Sequence, residues 1–575
     1  GQVYAANTLG GILGVMLSLH VGLPYLGLEG LLLGAGAADV TVGLILLASL
    51  GLALRRLLAG TGVAAGVGLA GMTMAGPMDQ NLLASGVYRL GALIGGDDGI
   101  KVAAQRHGKT ASIHITVFPS GTTSIRTNGK SDAAVAPRGS QPQPDEATML
   151  MVGALPLLLR PEARNVANIG FGSGLSTHAL LQSPKLDRVD TIEIEPAMVD
   201  LAQHFRPANE RAYTDPRSHI HFEDAKSFFA AGTTRWDVIT SEPSNPWVSG
   251  VAGLFSREFY ATAKRHLAPG GLLVQWMHLY EIDPALISTV FLALGESFPD
   301  YAVYASNGAD ILIAASPDGK VGEAQLAGFA APALAADLAR FGITEPDDIG
   351  LRRIGDRASL HALFAGYGLA ANSDYQPVLD QGAAKSRFMQ RSAEALIKLR
   401  SEPLPALEML SGDPAMTPPA RANPTPYYPV ARVFHRARMI ADQLAGRSLA
   451  DDPWVREFSQ EAAALVGSCS SWPRGGDRIS AMLDVALATL AYLPANEAEA
   501  LWKRVGELPC GTGLNWADAQ WYQLFMAVAR RDGAAMAASA EGLLPSATIP
   551  ARRRYLTATA MLGYLATGNK DQAAA

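Results

Sequence analysis

The residues best placed to do chemistry are polar groups that each follow a short apolar run. They are the turn Gly170-Phe171-Gly172-Ser173-Gly174, then Glu193, Asp224 and Glu242. Glycines let a backbone approach a ligand closely, and a helix opening after such a turn offers its N-terminus to polar or anionic groups. A carboxylate at the next strand end, about twenty residues on, can grip ribose hydroxyls. A glycine turn alone is weak evidence, because many such turns only make tight corners. The acidic residues at the following strand ends change its weight. Repeated βα units that each bring a polar group to one sheet edge describe a nucleoside site at a topological switch point. Gly170, Gly172, Ser173, Gly174, Glu193, Asp224 and Ala225 are the candidate nucleoside-binding residues. Asp224 could meet a ligand at that edge, or else only cap the helix after it. Glu242 is a further carboxylate at that edge, with a helix cap or an ion pair as its plainer reading. Glu195 is expected to cap the helix that opens at Pro196, and Asp237 to brace its strand.

The elements that must position these groups form an α/β, Rossmann-like fold. The expected order is strand 166–169, a helix from 175, a strand ending at 193, a helix from 196 and strand 219–222. A helix near 225, strand 236–240, amphipathic helix 255–267, strand 272–276, helix 283–294 and strands 301–304 and 310–315 complete a seven-stranded sheet. Ahead of it, 112–118 and 122–127 alternate as a hairpin, with a further turn at Asn128-Gly129-Lys130. Residues 136–145 form a Pro/Gln/Gly-rich loop, and 146–159 an apolar helix. Past Pro317 the chain becomes an Ala/Leu-rich helical extension, broken at Asn372-Ser373-Asp374-Tyr375. From about 392 helices come in pairs with proline punctuation. The last pair looks TPR-like, without a fixed repeat period. The expected domains are 1–77 transmembrane helices, 78–145 connector and small β-domain, 146–318 nucleotide fold, 319–391 extension and 392–575 helical C-terminal domain.

A chain of 575 residues is too long for one core. With 17% charged and 49% hydrophobic residues it leans towards a membrane segment joined to a soluble part. Runs 9–26 and 31–54 are long enough to span a bilayer, and Gly27-Leu28-Glu29-Gly30 between them makes a hairpin turn. Arg55-Arg56 mark the following end as cytoplasmic. Stretch 59–76 is a third span, a re-entrant piece or an interfacial helix. His20 and Asp39 are ionisable at membrane depth, either as functional groups or as an interhelical bond and a helix-end residue. The first run lacks a basic flank, so it is read as a membrane segment of a longer protein and not as a signal peptide. The expected location is the bacterial inner membrane, multi-pass, with the bilayer as a partner and the soluble domain cytoplasmic. A net charge of −6 without a basic cluster argues against nucleic acid. Cys469 and Cys510 fit no zinc pattern, and no metal is expected; two unpaired thiols are expected in a cytosolic domain, one long-range disulfide otherwise.

At these residues the chain resembles the spermidine synthase (aminopropyltransferase) family, and more closely its membrane-fused bacterial branch, over roughly 81–390. The family's glycine motif falls on Gly170 to Gly174, its ribose-binding Glu on Glu193, its adenine-side Asp on Asp224 and its catalytic Asp on Glu242. The resemblance implies transfer of an aminopropyl group from decarboxylated S-adenosylmethionine, as co-substrate, to a small-molecule amine, with a homodimer as the assembly left open. Several positions depart from the pattern. Ser173 stands where the family carries an Asp, Asn245 where it has the second Asp of its catalytic run, Thr148 and Met149 at its acceptor-side Tyr-Gln pair, and Ile113 at a donor-binding Gln. The adenosine half is kept and much of the diamine grip is not. Two other readings stay open: an S-adenosylmethionine-dependent methyltransferase, or a non-catalytic polyamine or nucleoside sensor.

Overall fold

The computed structural model describes residues 1–49, 59–64, 66, 68, 79–94, 98–417, 430–447, 463–464, 467, 469 and 477–574. The chain divides into two units. One holds Gly1–Gln143, Phe171–Gly174 and Glu193–Glu210; the other holds Pro144–Gly170, Leu175–Ile192 and Arg211–Ala575.

In the first unit, helix Gln2–Leu17, a π-helical turn Ser18–Gly22 and helix Leu23–Ser49 follow one another. Gly27 breaks the second helix with φ +68 and ψ −178, within the expected turn. Two stretches, Gln2–Gly22 and Tyr25–Leu46, are long and apolar enough to cross a membrane, and almost none of either is buried. Both begin earlier in the chain than the hydropathy of the sequence places them. Arg55 and Arg56, and most of the third apolar stretch, lie outside the described residues.

The small β-domain has four antiparallel strands where the sequence pattern gives a hairpin: β1 (Lys101–His107), β2 (Ser112–Val117), β3 (Thr123–Thr127) and β4 (Lys130–Val135), in that order. The expected turn is a two-residue one. Asn128 and Gly129 both have positive φ, 49° and 84°, which matches the twist of the flanking strands. Gly129 is also required by packing, since a Cβ there would stand 2.4 Å from the Gly86 nitrogen. β1 escapes the sequence pattern because it is half-exposed and carries Lys, Gln and Arg among alanines, so no period-2 alternation shows.

The second unit is built on an eight-stranded sheet, one strand more than expected. β5 (Asn165–Ile169), β6 (Arg188–Glu193), β7 (Ser218–Phe222), β8 (Trp236–Ser241), β9 (Leu267–His278), β10 (Asp300–Ala305), β11 (Asp310–Ser316) and β12 (Arg353–Asp356) lie in the order β12-β10-β11-β9-β8-β5-β6-β7. β6, β5, β8 and β9 pair in parallel, and β9, β11, β10 and β12 antiparallel. The added strand β12 comes from the stretch expected to be wholly helical. Its four residues, Arg-Ile-Gly-Asp, carry no alternation, and its last residue caps the next helix, with Asp356 Oδ1 accepting from the Ser359 nitrogen at 2.9 Å.

Both faces of this sheet are covered, as parallel strands require. Along β8, Val238 packs with helix Pro144–Leu159 in one core, while Ile239 packs with helices Arg257–Arg265 and Pro284–Ser297 in the other. Strand order reverses around β5, with β6 on one side and β8 on the other. That is where an open α/β sheet opens a crevice at its carboxyl edge.

Helices Arg478–Thr489, Ala495–Glu507, Trp516–Arg530, Gly533–Leu543 and Pro550–Ala566 form a separate core with helix Ala431–Leu444. Cys469 and Cys510 are joined there as a disulfide, with Cα atoms 4.8 Å apart. The expectation of two free thiols is therefore corrected. Their 41-residue separation leaves no local trace of the pairing.

Candidate functional site

The glycine turn does what its composition predicts. Gly170 has φ +93, and a Cβ there would stand 2.4 Å from the Glu242 carbonyl oxygen, so only glycine lets the chain pass. Gly172, φ +52, has open space where a Cβ would be, leaving its backbone accessible. Gly174, φ +80, would meet the Phe171 ring at 2.9 Å. Ser173 is buried, and its carbonyl accepts from Asn209 Nδ2 at 2.7 Å.

Glu193 ends β6 and is buried. Its Oε2 accepts from the Phe171 nitrogen and its Oε1 from the Glu195 nitrogen, both at 2.9 Å. The carboxylate thus ties the turn to the chain after β6, with one further lone pair on each oxygen for a ligand. Burial raises its pKa, against those two backbone bonds, and Asp132 and Glu195 add like charge. Glu195 caps the helix Pro196–Ala202, as expected, accepting from Ala197 at 3.1 Å. Its other oxygen takes the Thr110 nitrogen and hydroxyl, each at 2.8 Å.

Asp224 sits after β7 and caps helix Ala225–Ala231, with Oδ1 accepting from Ser227 at 2.9 Å. It is exposed, while Ala225 is buried. Capping by one oxygen and contact with a ligand through the other are compatible for a carboxylate. Asp237 braces β5, with Oδ2 accepting from the Arg164 and Asn165 nitrogens at 2.7 and 2.9 Å. Two exposed apolar side chains went unread in the sequence: Ile194, directly after Glu193, and Phe222, the last residue of β7, at 52% and 55% exposure.

Glu242 follows β8, whose last residue Ser241 pairs with Ile169 of β5. Its backbone nitrogen donates to the Ile169 carbonyl at 2.9 Å, which fixes it beside the glycine turn. Ser176, on the helix that follows the turn, donates its hydroxyl to Oε2. Burial pushes the Glu242 carboxyl up to about 7 against that bond, helped by the negative charges of Asp310 and Asp145. A carboxyl poised near neutrality can hold and release a proton at working pH. Asn245 is fully buried, three residues on, with Nδ2 3.3 Å from the Tyr280 hydroxyl. Thr148 lies within a buried network: its hydroxyl donates to Asp310 Oδ2 at 3.1 Å and lies 2.9 Å from Ser306 Oγ, and Asn307 Nδ2 donates to that same Asp310 oxygen at 2.8 Å. Ile113 is a fully buried β2 residue. Among the described residues, no three His, Cys, Asp or Glu converge to hold a metal ion.

Comparison with known proteins bears on this geometry. Residues 146–307 match the spermine/spermidine synthase domain. The chain is 31% identical to the polyamine aminopropyltransferase of Alkaliphilus oremlandii over 124 residues, 22% of this chain and 43% of that protein. It is 35% identical to that of Mycobacterium tuberculosis over 116 residues, 20% of this chain and 22% of the relative. The chain thus spans less than half the length of these curated relatives. Among solved structures, a probable spermidine synthase from Corynebacterium glutamicum aligns with 48% of this chain and 97% of its own, at 17% identity and a TM-score of 0.34.

Proposed function

Since residues 146–307 match the spermine/spermidine synthase domain, we propose that this chain is a membrane-anchored aminopropyltransferase using decarboxylated S-adenosylmethionine and an amine acceptor. The observation that carries the reading is Glu242, a carboxyl held near neutrality at the carboxyl edge of β8, directly beside the glycine turn. Features within each unit support a donor of this kind: in the first, Gly172 leaves its backbone open and Glu193 retains acceptor capacity, and in the second, Asp224 keeps a carboxylate oxygen beyond the one that caps its helix. When bound, the donor supplies a carbon activated by the adjacent sulfonium.

The chain's own task is to deliver a neutral nitrogen. An alkylamine near the pKa of lysine is protonated at pH 7. Glu242 as carboxylate holds that ammonium and takes one proton from it, freeing the lone pair that forms the new C–N bond while the C–S bond breaks towards sulfur. Ser176 keeps the carboxylate oriented through its hydroxyl. Loss of the base is expected to be catalytic and not to affect binding. Glu242→Gln should hold methylthioadenosine as the parent does, by calorimetry, while turnover falls on the order of 10²–10⁴-fold. An active enzyme whose Glu242→Gln variant turns over at the parent rate contradicts the assignment. The two apolar helices Gln2–Gly22 and Tyr25–Leu46 are proposed as the anchor, in a bacterial inner membrane.

A further inference from the structure

Loop 372–376 lies beyond the matched residues 146–307, yet it closes on two segments of the nucleotide fold. Asn372 is buried, and each of its polar groups is used. Its Nδ2 donates to the Ala252 and Phe255 carbonyls, both at 3.1 Å, and its Oδ1 accepts from the Leu379 nitrogen at 3.2 Å. Its own nitrogen donates to the Thr289 carbonyl, and its carbonyl accepts from the Arg257 nitrogen, each at 3.0 Å. Ser373 donates its hydroxyl to Glu258 Oε1 at 2.7 Å, and the Asp374 nitrogen donates to Oε2 of that carboxylate at 3.0 Å. The backbone beneath Asp374 is thus pinned to the turn Val251–Phe255 and to helix Arg257–Arg265. From that base Asp374 Oδ2 accepts from Lys226 Nζ at 2.6 Å. Lys226 stands in the first turn of helix Ala225–Ala231, which Asp224 caps. Gly253 makes room for the pair, since a Cβ there would crowd Lys226 Nζ at 3.2 Å. The two side chains are 37% and 32% exposed, and an ion pair so placed is ordinarily weak, because water screens it and both side chains lose freedom. Here the backbone of one partner is already fixed, so most of that loss falls on Lys226 alone. The helix has seven residues, fewer than the roughly 12 that a helix needs to persist by itself, so its tertiary contacts decide where its first turn stands.

Resting on the reading of Asp224 as a nucleoside contact, we propose that Asp374 is a positioning residue: through Lys226 it fixes the first turn of helix Ala225–Ala231 and so the direction of the Asp224 carboxylate. The helical extension then helps to set the affinity for the donor, and the matched domain does not set it alone.

The test is calorimetry of methylthioadenosine on the full chain in detergent, with urea unfolding run beside it. Asp374→Asn keeps the shape and removes the charge, and its Kd should rise about 3- to 5-fold, the upper part of what one partly exposed ion pair is worth. Asp374→Glu should regain part of that loss. Lys226→Met should cost as much as Asp374→Asn, and the two together no more than either alone, because both act through one contact. The urea midpoints of these variants should stay close to the parent's. Should Asp374→Asn fail to fold, Ser373→Ala, which frees the loop from Glu258, is expected to weaken binding in the same direction. Parent affinity in a folded Asp374→Asn chain overturns the proposal, and a lowered midpoint with parent affinity does so too, since the pair would then only hold the fold together. Losses that add in the double variant also overturn it, as does a loss in Lys226→Met alone, which would mean that the ammonium meets the ligand directly. A parent chain that binds no methylthioadenosine overturns the nucleoside reading, and this role with it, before any variant is made.

Discussion

At the residue scale, the charge state of Glu242 decides whether the acceptor nitrogen can be freed of its proton. Its carboxyl is raised to about 7, burial being the largest cause. The sign follows directly: below that pH the group is protonated and cannot accept, and above it the carboxylate is available. The kcat/KM of the parent should therefore rise as pH climbs through about 7 and then level, since that profile reports the free enzyme's base. Glu242→Gln should lack this inflection, and its residual rate should keep rising towards the pKa of the amine. A parent profile flat from pH 5 to 9 would mean that another group takes the proton. The strand-end positions of Glu242, Glu193 and Asp224 were legible because each signal is local: a carboxylate placed by a strand end, with a glycine turn or a helix start next to it. The influence of Asp310 on Glu242 was not, because it depends on β11 lying two strands from β8, which no window of sequence shows. Ser176 hid for the same reason, 66 residues from the carboxylate it bonds.

At the scale of elements, the strands and helices of the nucleotide fold fell close to where apolar runs and caps put them. Among the strands the misses were β1, β4 and β12. β1 lacks alternation because it is polar and half-exposed, and β12 is four residues long. The β-domain also contains an unread liability. His114 on β2 is fully buried with neither ring nitrogen bonded, and its pKa is lowered to about 4, first by burial and then by the charges of His107 and Arg126. The folded state keeps this ring neutral, whereas the unfolded chain protonates it at the ordinary 6.5. The unfolded state thus binds more protons between those values, and stability is lost as pH falls from 6.5 towards about 4. His114→Leu should flatten this dependence in denaturant unfolding of the full chain at pH 8 and pH 5. An unchanged slope in the variant would show that another group carries the acid sensitivity.

At the scale of the molecule, composition predicts a membrane part, a nucleotide fold and a helical C-terminal region. The pairing of Cys469 with Cys510 did not follow from composition. Disulfides persist in oxidising compartments, so this pair weighs against the cytoplasmic placement expected for the soluble domain. Protein unfolded without reductant should take up no alkylating label, and both thiols should react after reduction; labelling without reductant would restore the cytoplasmic expectation. None of this bears on the chemistry itself, which one measurement tests most directly. Purified full-length chain is incubated with a mixture of amines and, in parallel, with decarboxylated or ordinary S-adenosylmethionine, and the products are identified by mass. The expected product is an acceptor heavier by one aminopropyl group, formed only with the decarboxylated donor and released together with methylthioadenosine. An acceptor carrying a methyl group from the ordinary donor, or no product from either while nucleoside binds, would contradict it.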